Sequence, residues 1–578
     1  MSRTAAALFA AAALIAAALV PAAQASTRAE AMPTMASGTA TGADCEWGTE
    51  PFQVIPTIDY PAGYTGYNYY QDYRSPYECA IGPSWLPTVQ GRPLSGVFVS
   101  SEEFNSFDAT QHWCDSLGPA DPTCSAQDWG LAVATLAMGH CDADSDFNCI
   151  ESLDVIAPDG TRQSARYLRG FPEIPGVPEF RDGDTFAPAG GSVPLWEFDT
   201  DEGPVQLLSA GSTEKMFLPR AGRWVDRGSA GFRLILKPVT IDSRPSLVKP
   251  ERIEYVDQRT GVTRTEWTGW NQPDARGCFS TDTGECALEA AFPEGYRYRL
   301  SLRLRDEASL YLNGSIDNPV VFSTKISGGH RFVLEAAPSP VLAVAGWIPK
   351  AQVPRSLVDE TFESIGGHRH WDMETHAESG QPLGRGGVDP LAWFKALLPY
   401  FGDRASFVTQ AWYVENTPTQ GRFTGECVDR GKGEFIGIVA SNATAYTGDP
   451  PAYDATTSTL SYEIAGPHYM PDGTTLSKGR YSINMNADFV KCVLGVDKVP
   501  SQARVELIYP DGEASAATLA IKQDRNWLRL VYENFTFSNP TVSVKFPKTL
   551  TCTKGKGKKA KIKQVTAFQC PKGWKPKR

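Results

Sequence analysis

An all-β, multi-domain, disulfide-bonded chain of antiparallel β-sandwich domains with few short helices is predicted by three observations. Apolar residues recur with period two in many short runs, as strands with one buried face require. Turn formers are abundant, with 52 Gly and 43 Pro in 578 residues, which favours many short strands over long helices. The 12 cysteines are even in number and spaced without any C-x-x-C, so disulfides and not zinc are expected of them. Hydrophobic residues make up 42% and charged residues 21%. That balance excludes a disordered chain and supplies two to four ordinary cores.

In chain order, Arg3, the apolar run Ala5–Val20 and Ala23-Gln24-Ala25 predict a secretory signal peptide over residues 1–25. The run is short of a membrane span, and no later stretch is long and apolar enough to be one. A secreted, extracellular location is expected, with association with the cell envelope. Residues 26–44 read as a flexible leader. Residues 45–170 read as a Cys/Tyr-rich domain holding Cys45, Cys79, Cys114, Cys124, Cys141 and Cys149. Its tyrosines (Tyr60, Tyr64, Tyr67, Tyr69, Tyr70, Tyr73, Tyr77) suit stacking on sugars or plain aromatic packing, the latter being favoured. Within it, Trp129–Met138 reads as a helix-like apolar run between Asp128 and Gly139.

The Pro/Gly-rich residues 171–194 read as a linker, and residues 195–349 as a β-sandwich domain containing Cys278 and Cys286. Phe232, Leu234 and Leu236 alternate with polar neighbours there. Residues 296–305 alternate fully: Tyr296, Tyr298, Leu300, Leu302 and Leu304 against Arg297, Arg299, Ser301, Arg303 and Arg305. That arginine row suits either an anionic polymer or acids across the sheet, and pairing within the sheet is favoured. Residues 350–400 form a His/Gly-rich connection ending in a short helix, Leu391–Tyr400. Residues 401–548 read as a second β-sandwich domain, with strands centred on Val505, Leu519, Leu530 and Val544 and a turn at Pro510-Asp511-Gly512. Cys427 and Cys492 are placed to clip it. Residues 549–578 form a basic Cys/Lys tail closed by Cys552 and Cys570. Pairing of sequence neighbours is the simplest connectivity for all 12 cysteines, and spacing leaves the alternatives open.

Charge separates sharply. From Thr551 onward there are nine lysines, one arginine and no acid, whereas residues 1–550 hold 45 basic against 66 acidic residues, a balance of −21. Lys554, Lys556, Lys558, Lys559, Lys561 and Lys563 are therefore the candidate polyanion-binding residues. The expected partner is a cell-wall polymer or another extracellular polyanion, an acidic polysaccharide or lipid headgroups among them. No specific nucleic acid is expected.

Two clusters are candidate metal sites. His368, His370 and His376 share one face of an extended segment, and three imidazoles would suit zinc. Asp142, Asp144 and Asp146 begin like a calcium loop, but Phe147 stands where the EF-hand needs Gly and Leu153 where it needs Glu. No G-x-S-x-G, phosphate-binding glycine loop or H-E-x-x-H occurs, and no cofactor is expected. The expected function is non-enzymatic binding. The alternative is a secreted polysaccharide-directed hydrolase, metal-assisted through the three histidines.

The Ala-rich leader and two C-terminal stretches resemble a group of uncharacterised secreted actinobacterial proteins. One stretch runs from Leu550-Thr-Cys552-Thr-Lys-Gly-Lys to Cys570-Pro571-Lys-Gly573. The other comprises Gly466-Pro-His468-Tyr-Met-Pro-Asp-Gly-Thr-Thr-Leu, Gly479-Arg-Tyr481, Phe489-Val-Lys-Cys492-Val-Leu-Gly495, Trp527-Leu528 and Asn534-Phe-Thr-Phe-Ser-Asn-Pro540. The likeness covers residues 425–578, with fainter echoes at Asn148–Ser152 and over 291–345. It implies a β-rich C-terminal domain with a terminal Cys/Lys module, and no reaction or catalytic residue.

Overall fold

The computed structural model describes isolated strands between Gly66 and Cys114, residues 131–143 and 146–171, parts of 173–190, and residues 191–220, 223–243, 251–256, 263–268, 285–305 and 310–349. It also describes most of 391–576. The described chain is built almost wholly of antiparallel strands. One full α-helix, Ala487–Leu494, stands among them. The all-β, disulfide-bonded prediction holds.

Two sandwiches make up the body. In the first, Cys149–Ile156, Arg297–Leu304 and the facing halves of Leu310–Ile326 and Gly329–Pro349 form one sheet. Pro194–Thr200, Gly203–Arg220, Arg223–Ser243 and Tyr413–Thr417 form the opposing sheet. Between them Leu153, Tyr298, Leu300, Leu302 and Leu334 from one sheet meet Trp196, Leu207, Leu234, Trp412 and Val414 from the other. Leu234 and Leu236 of the first alternating run and Tyr298, Leu300, Leu302 and Leu304 of the second are thus the two walls of one core. The indoles of Trp196 and Trp412 donate to Ser209 Oγ (2.8 Å) and the Ala336 carbonyl (3.1 Å), so both buried N–H groups are satisfied.

In the second sandwich, Phe435–Ser441, Lys478–Asn486 and Trp527–Thr536 pair on one side. Thr459–Ala465, Thr541–Lys545, Gln502–Ile508 and Ala514–Ala520 pair on the other. Val505, Leu507, Val542 and Val544 are fully buried, as their alternation requires. The helix follows directly on Lys478–Asn486 and buries Ala487, Phe489 and Val490 in this core. Asn486 caps it by accepting from the N–H groups of Asp488 and Phe489, and Gly495 ends it in the left-handed conformation (φ 62°).

The sandwiches are not separate beads. Leu310–Ile326 belongs to both sheets of the first sandwich and also pairs in parallel with Phe435–Ala440 of the second. It bends at an irregularity between Asp317 and Val320, where Asn318 takes φ 49°. Both bodies hold that bend. Arg297 and Arg529 donate to the Asn318 carbonyl (3.0 Å) and side-chain oxygen (2.8 Å). Asn484 donates to the Pro319 carbonyl (3.0 Å), and Arg480 bridges Asp317 and Glu533.

Among the described residues, sequence and structure differ clearly at Trp129–Met138. The run expected to be helix-like, Trp129–Met138, contains the strand Leu131–Ala137, paired on both sides with Gly96–Ser101 and with 212–217 of the long strand Gly203–Arg220. An unbroken apolar run looks alike in a buried helix and a central strand, and Val133 and Thr135 favour the strand. The expected helix at Leu391–Tyr400 is present in part: Leu391, Phe394 and Lys395 are helical, and Leu398–Phe401 is a 3₁₀ turn. Within the tyrosine-rich segment, Gly66–Gln71 lies against Val344–Pro349, placing Tyr67, Tyr69 and Tyr70 in a strand.

Three of the neighbouring-cysteine pairs are disulfides: Cys141–Cys149, Cys427–Cys492 and Cys552–Cys570. The pairings of Cys45 with Cys79, Cys114 with Cys124 and Cys278 with Cys286 lie outside the described residues. Cys427–Cys492 ties the helix to a point 65 residues upstream. Loop-closure entropy for a ring of that size is worth about 4 kcal/mol. Replacing both cysteines by serine is therefore expected to lower the unfolding free energy of the C-terminal sandwich by that amount, read as a lower denaturant midpoint. Unchanged unfolding would show that the clip is not a stabilising element.

Candidate functional site

The basic C-terminal stretch is a folded module. Lys548–Lys554, Lys561–Ala567 and Lys575–Pro576 form a three-stranded sheet with the first strand in the centre. Cys552, fully buried, is bonded to Cys570 and so ties the end of the hairpin back to its central strand. Gly573 (φ 82°) makes the turn into the last strand, and Thr553 Oγ1 donates to the Lys575 carbonyl at 3.3 Å. Lys548 Nζ donates to the Thr456 carbonyl at 3.0 Å and docks the module on the second sandwich.

Register decides the electrostatics. Lys554 lies directly opposite Lys561, and Cys552 opposite Lys563. Paired residues share a face, so Lys554, Lys561 and Lys563 project together, and all three are exposed. Like charges placed directly opposite destabilise a hairpin. None of the three forms a salt bridge among the described residues, and the module contains no acid to relieve them. Lys556, Lys558 and Lys559 lie outside the described residues.

The arginine row of Arg297–Leu304 is different. Arg303 Nε and Nη2 donate to Glu151 Oε1 (3.0 and 2.8 Å), and its Nη1 donates to the Ala143 carbonyl (2.7 Å). Arg331 grips the same carboxylate through Nε (2.6 Å) and Nη2 (2.7 Å). Arg297 pairs with Glu335 at 3.4 Å, while Arg299 and Arg305 lie over the rings of Phe322 and Phe147. The guanidinium groups are consumed inside the fold. Burial pushes the Glu151 carboxyl up, but hydrogen bonds from Arg331 and Arg303 and their charges outweigh it, leaving Glu151 below its ordinary value.

The acidic loop Cys141–Cys149 is closed by its disulfide. Asp146 Oδ2 accepts from the N–H groups of Asp142 (2.9 Å) and Ala143 (2.7 Å), which fixes the turn. Asp142 Oδ1 meets His140 Nδ1 at 3.0 Å. Asp144 lies outside the described residues, as do His368, His370 and His376. Among the described residues, no three His, Cys, Asp or Glu side chains gather as metal ligands would.

Some groups carried no sequence signal. His140 stacks on Tyr167 (4.1 Å between centroids, 9° between planes), with both rings edge-on to Trp196. Arg233, Glu415 and Asn313 stand side by side on three neighbouring strands. There Tyr413 donates to Glu415 Oε2 at 2.5 Å. Burial, then the Glu415 charge, pushes the Tyr413 phenol well above its ordinary value. Partners on different segments, 27 to 182 positions apart, leave no local pattern to read.

The stretches that carry the resemblance are structural. Gly479 lies beneath Phe535, where a Cβ would come within 2.1 Å of the ring. His468 Nδ1 meets the Phe537 carbonyl at 2.6 Å. Asp472 closes the following turn by accepting from Thr475 Oγ1 (2.6 Å) and the N–H groups of Thr474 and Thr475 (both 2.8 Å). A cavity of about 760 Å³ beside the helix is lined by Phe435, Phe489, Leu494, Tyr453 and Asp497. Set against known proteins, the chain matches no family model, no curated protein and no solved structure.

Two measurements test this electrostatic picture. Glu151→Gln is expected to cost about 2–3 kcal/mol at neutral pH, since it leaves two guanidinium groups underpaired. A carboxylate held below its unfolded value stabilises above that value, and the contribution is lost as pH falls through the folded one. The penalty should accordingly shrink below about pH 4, and an equal penalty at every pH would refute the pairing. For Asp472, the threonine side chain and N–H groups draw the carboxyl down to about 2. A carboxyl NMR titration should find that midpoint, and one near 3.8 would show the turn open in solution.

Proposed function

We propose that the chain is a secreted, non-enzymatic binding protein of the cell surface whose C-terminal module holds an anionic partner, such as a cell-wall polymer or acidic polysaccharide. One observation carries the reading: Lys554 faces Lys561 across an exposed hairpin, with Lys563 beside them and no acid within the module. That arrangement costs stability in isolation and is relieved by an anion that bridges the ammonium groups. The rest of the fold shows the contrast, because Arg297 and Arg303 are paired with carboxylates.

The charge of the remaining chain adds direction. A body with a balance of −21 has a net repulsion for a polyanion, and the module has the opposite sign. The partner is therefore met by one end, while the sandwiches stand clear. The disulfides and the leader fit an oxidising, extracellular setting.

Pelleting with isolated cell envelopes tests the proposal. The full chain is expected to sediment with them at low salt and to be released as salt rises. Deleting residues 549–578 is expected to abolish retention. The combined change Lys554→Gln, Lys561→Gln and Lys563→Gln should weaken it at least tenfold and flatten its salt dependence, by about one unit of log–log slope per lysine. Full retention of the deleted chain would overturn the reading.

A further inference from the structure

We infer that the seam between the two sandwiches binds a small oxyanion, phosphate or sulfate, between the guanidinium groups of Arg297 and Arg529; this site is separate from the terminal lysines and does not depend on them. Arg297 comes from the first sandwich and Arg529 from the second. Both donate to one residue, Asn318, at the bend of Leu310–Ile326. Two cations are thereby held side by side where the bodies meet. Lys522, directly opposite Arg529 on the neighbouring strand Lys522–Asp524, adds a third on the same face. The acid of that short strand, Asp524, lies opposite Trp527 instead.

The carboxylates of the seam are already divided among other arginines. Arg480 takes both Asp317 and Glu533. Glu335 is shared by Arg162 (3.5 Å) and Arg297 (3.4 Å), both long contacts. Arg529 has no salt bridge among the described residues. Its Nη2 donates to Asn318 Oδ1 at 2.8 Å, and its Nε is buried with no acceptor. Burial, then the Arg297 charge, draws the Arg529 guanidinium below its ordinary value, and Asp317, Glu533 and Glu335 do not make up the difference. A half-buried charge without a counter-charge is costly. A guanidinium fork fits the oxygens of a phosphate or sulfate two at a time. Solvent reaches the seam, since Arg297 and Arg480 are 27% and 33% exposed. An oxyanion there neutralises Arg529, offsets its repulsion from Arg297 and bridges the two bodies.

Calorimetric titration of the full chain with inorganic phosphate, at an ionic strength matched with chloride, tests the site. Binding is expected, and it should persist when Lys554→Gln, Lys561→Gln and Lys563→Gln are combined. Arg529→Gln should weaken it at least about tenfold, because a charged hydrogen-bonding partner is lost. Arg529→Lys keeps the charge without the fork and should weaken it less. Phenylglyoxal labelling, read by peptide mass spectrometry, needs no variant. Phosphate should shield Arg297 and Arg529 of the native chain, chloride should not, and Arg166, 71% exposed, should stay reactive throughout. Undiminished phosphate binding by Arg529→Gln, or labelling of Arg297 and Arg529 that phosphate leaves unchanged, would overturn the site. Binding lost with the three lysines alone would also overturn it and leave the polyanion reading standing. Failure of envelope retention, in turn, would overturn that reading and leave this site standing.

Discussion

The strand Leu310–Ile326 is the constraint on which the rest depends. One stretch of backbone serves both sheets of the first sandwich and the near sheet of the second. A straight strand has only two edges and cannot do this over its whole length, so it changes partners along the way. The change needs a bend, and the bend needs a residue that tolerates positive φ, which Asn318 supplies. Buried polar groups at such a bend are costly unless satisfied. Arg297 meets them from the first sandwich, and Arg529 and Asn484 from the second. The junction between the bodies is thereby a hydrogen-bonded continuation and not a hinge.

Two basic features look alike in the sequence and behave oppositely in the structure. Arg297 and Arg303 of the strand Arg297–Leu304 are half-buried or buried and paired with carboxylates, where a charge–charge hydrogen bond is strong and a missing partner is expensive. The lysines of the terminal module are exposed and face one another. Guanidinium suits the first role because it is planar and grips two oxygens at once. Ammonium on a long stem suits the second because it stays hydrated at the surface. Strong, paired interactions hold the fold together, and the exposed lysines stand at its edge.

Much of the architecture was legible because it follows from local rules. Alternation at 296–305 and 505–544 set strands and their buried faces, and turns separated them. Neighbouring cysteines paired at Cys141–Cys149, Cys427–Cys492 and Cys552–Cys570. The strand Leu131–Ala137 escaped, because a run apolar at all but Thr135 carries no clear period. The glycine and aromatic residues of the C-terminal stretches were visible as a pattern, but their purpose was not. Gly479 is small because Phe535 lies upon it, a fact about two strands brought together.

The sequence by itself determined the β class, the oxidising chemistry expected of its cysteines and the separation of an acidic body from a basic end, since each depends only on composition or on residues a few positions apart. Tertiary structure alone decided which charges are spent. Glu151 meets Arg303 and Arg331 across 152 and 180 positions, and Lys554 meets Lys561 only because a hairpin sets their register. The physical reason is the same in both cases. Coulomb energy depends on distance and burial, and the chain acquires neither until it folds.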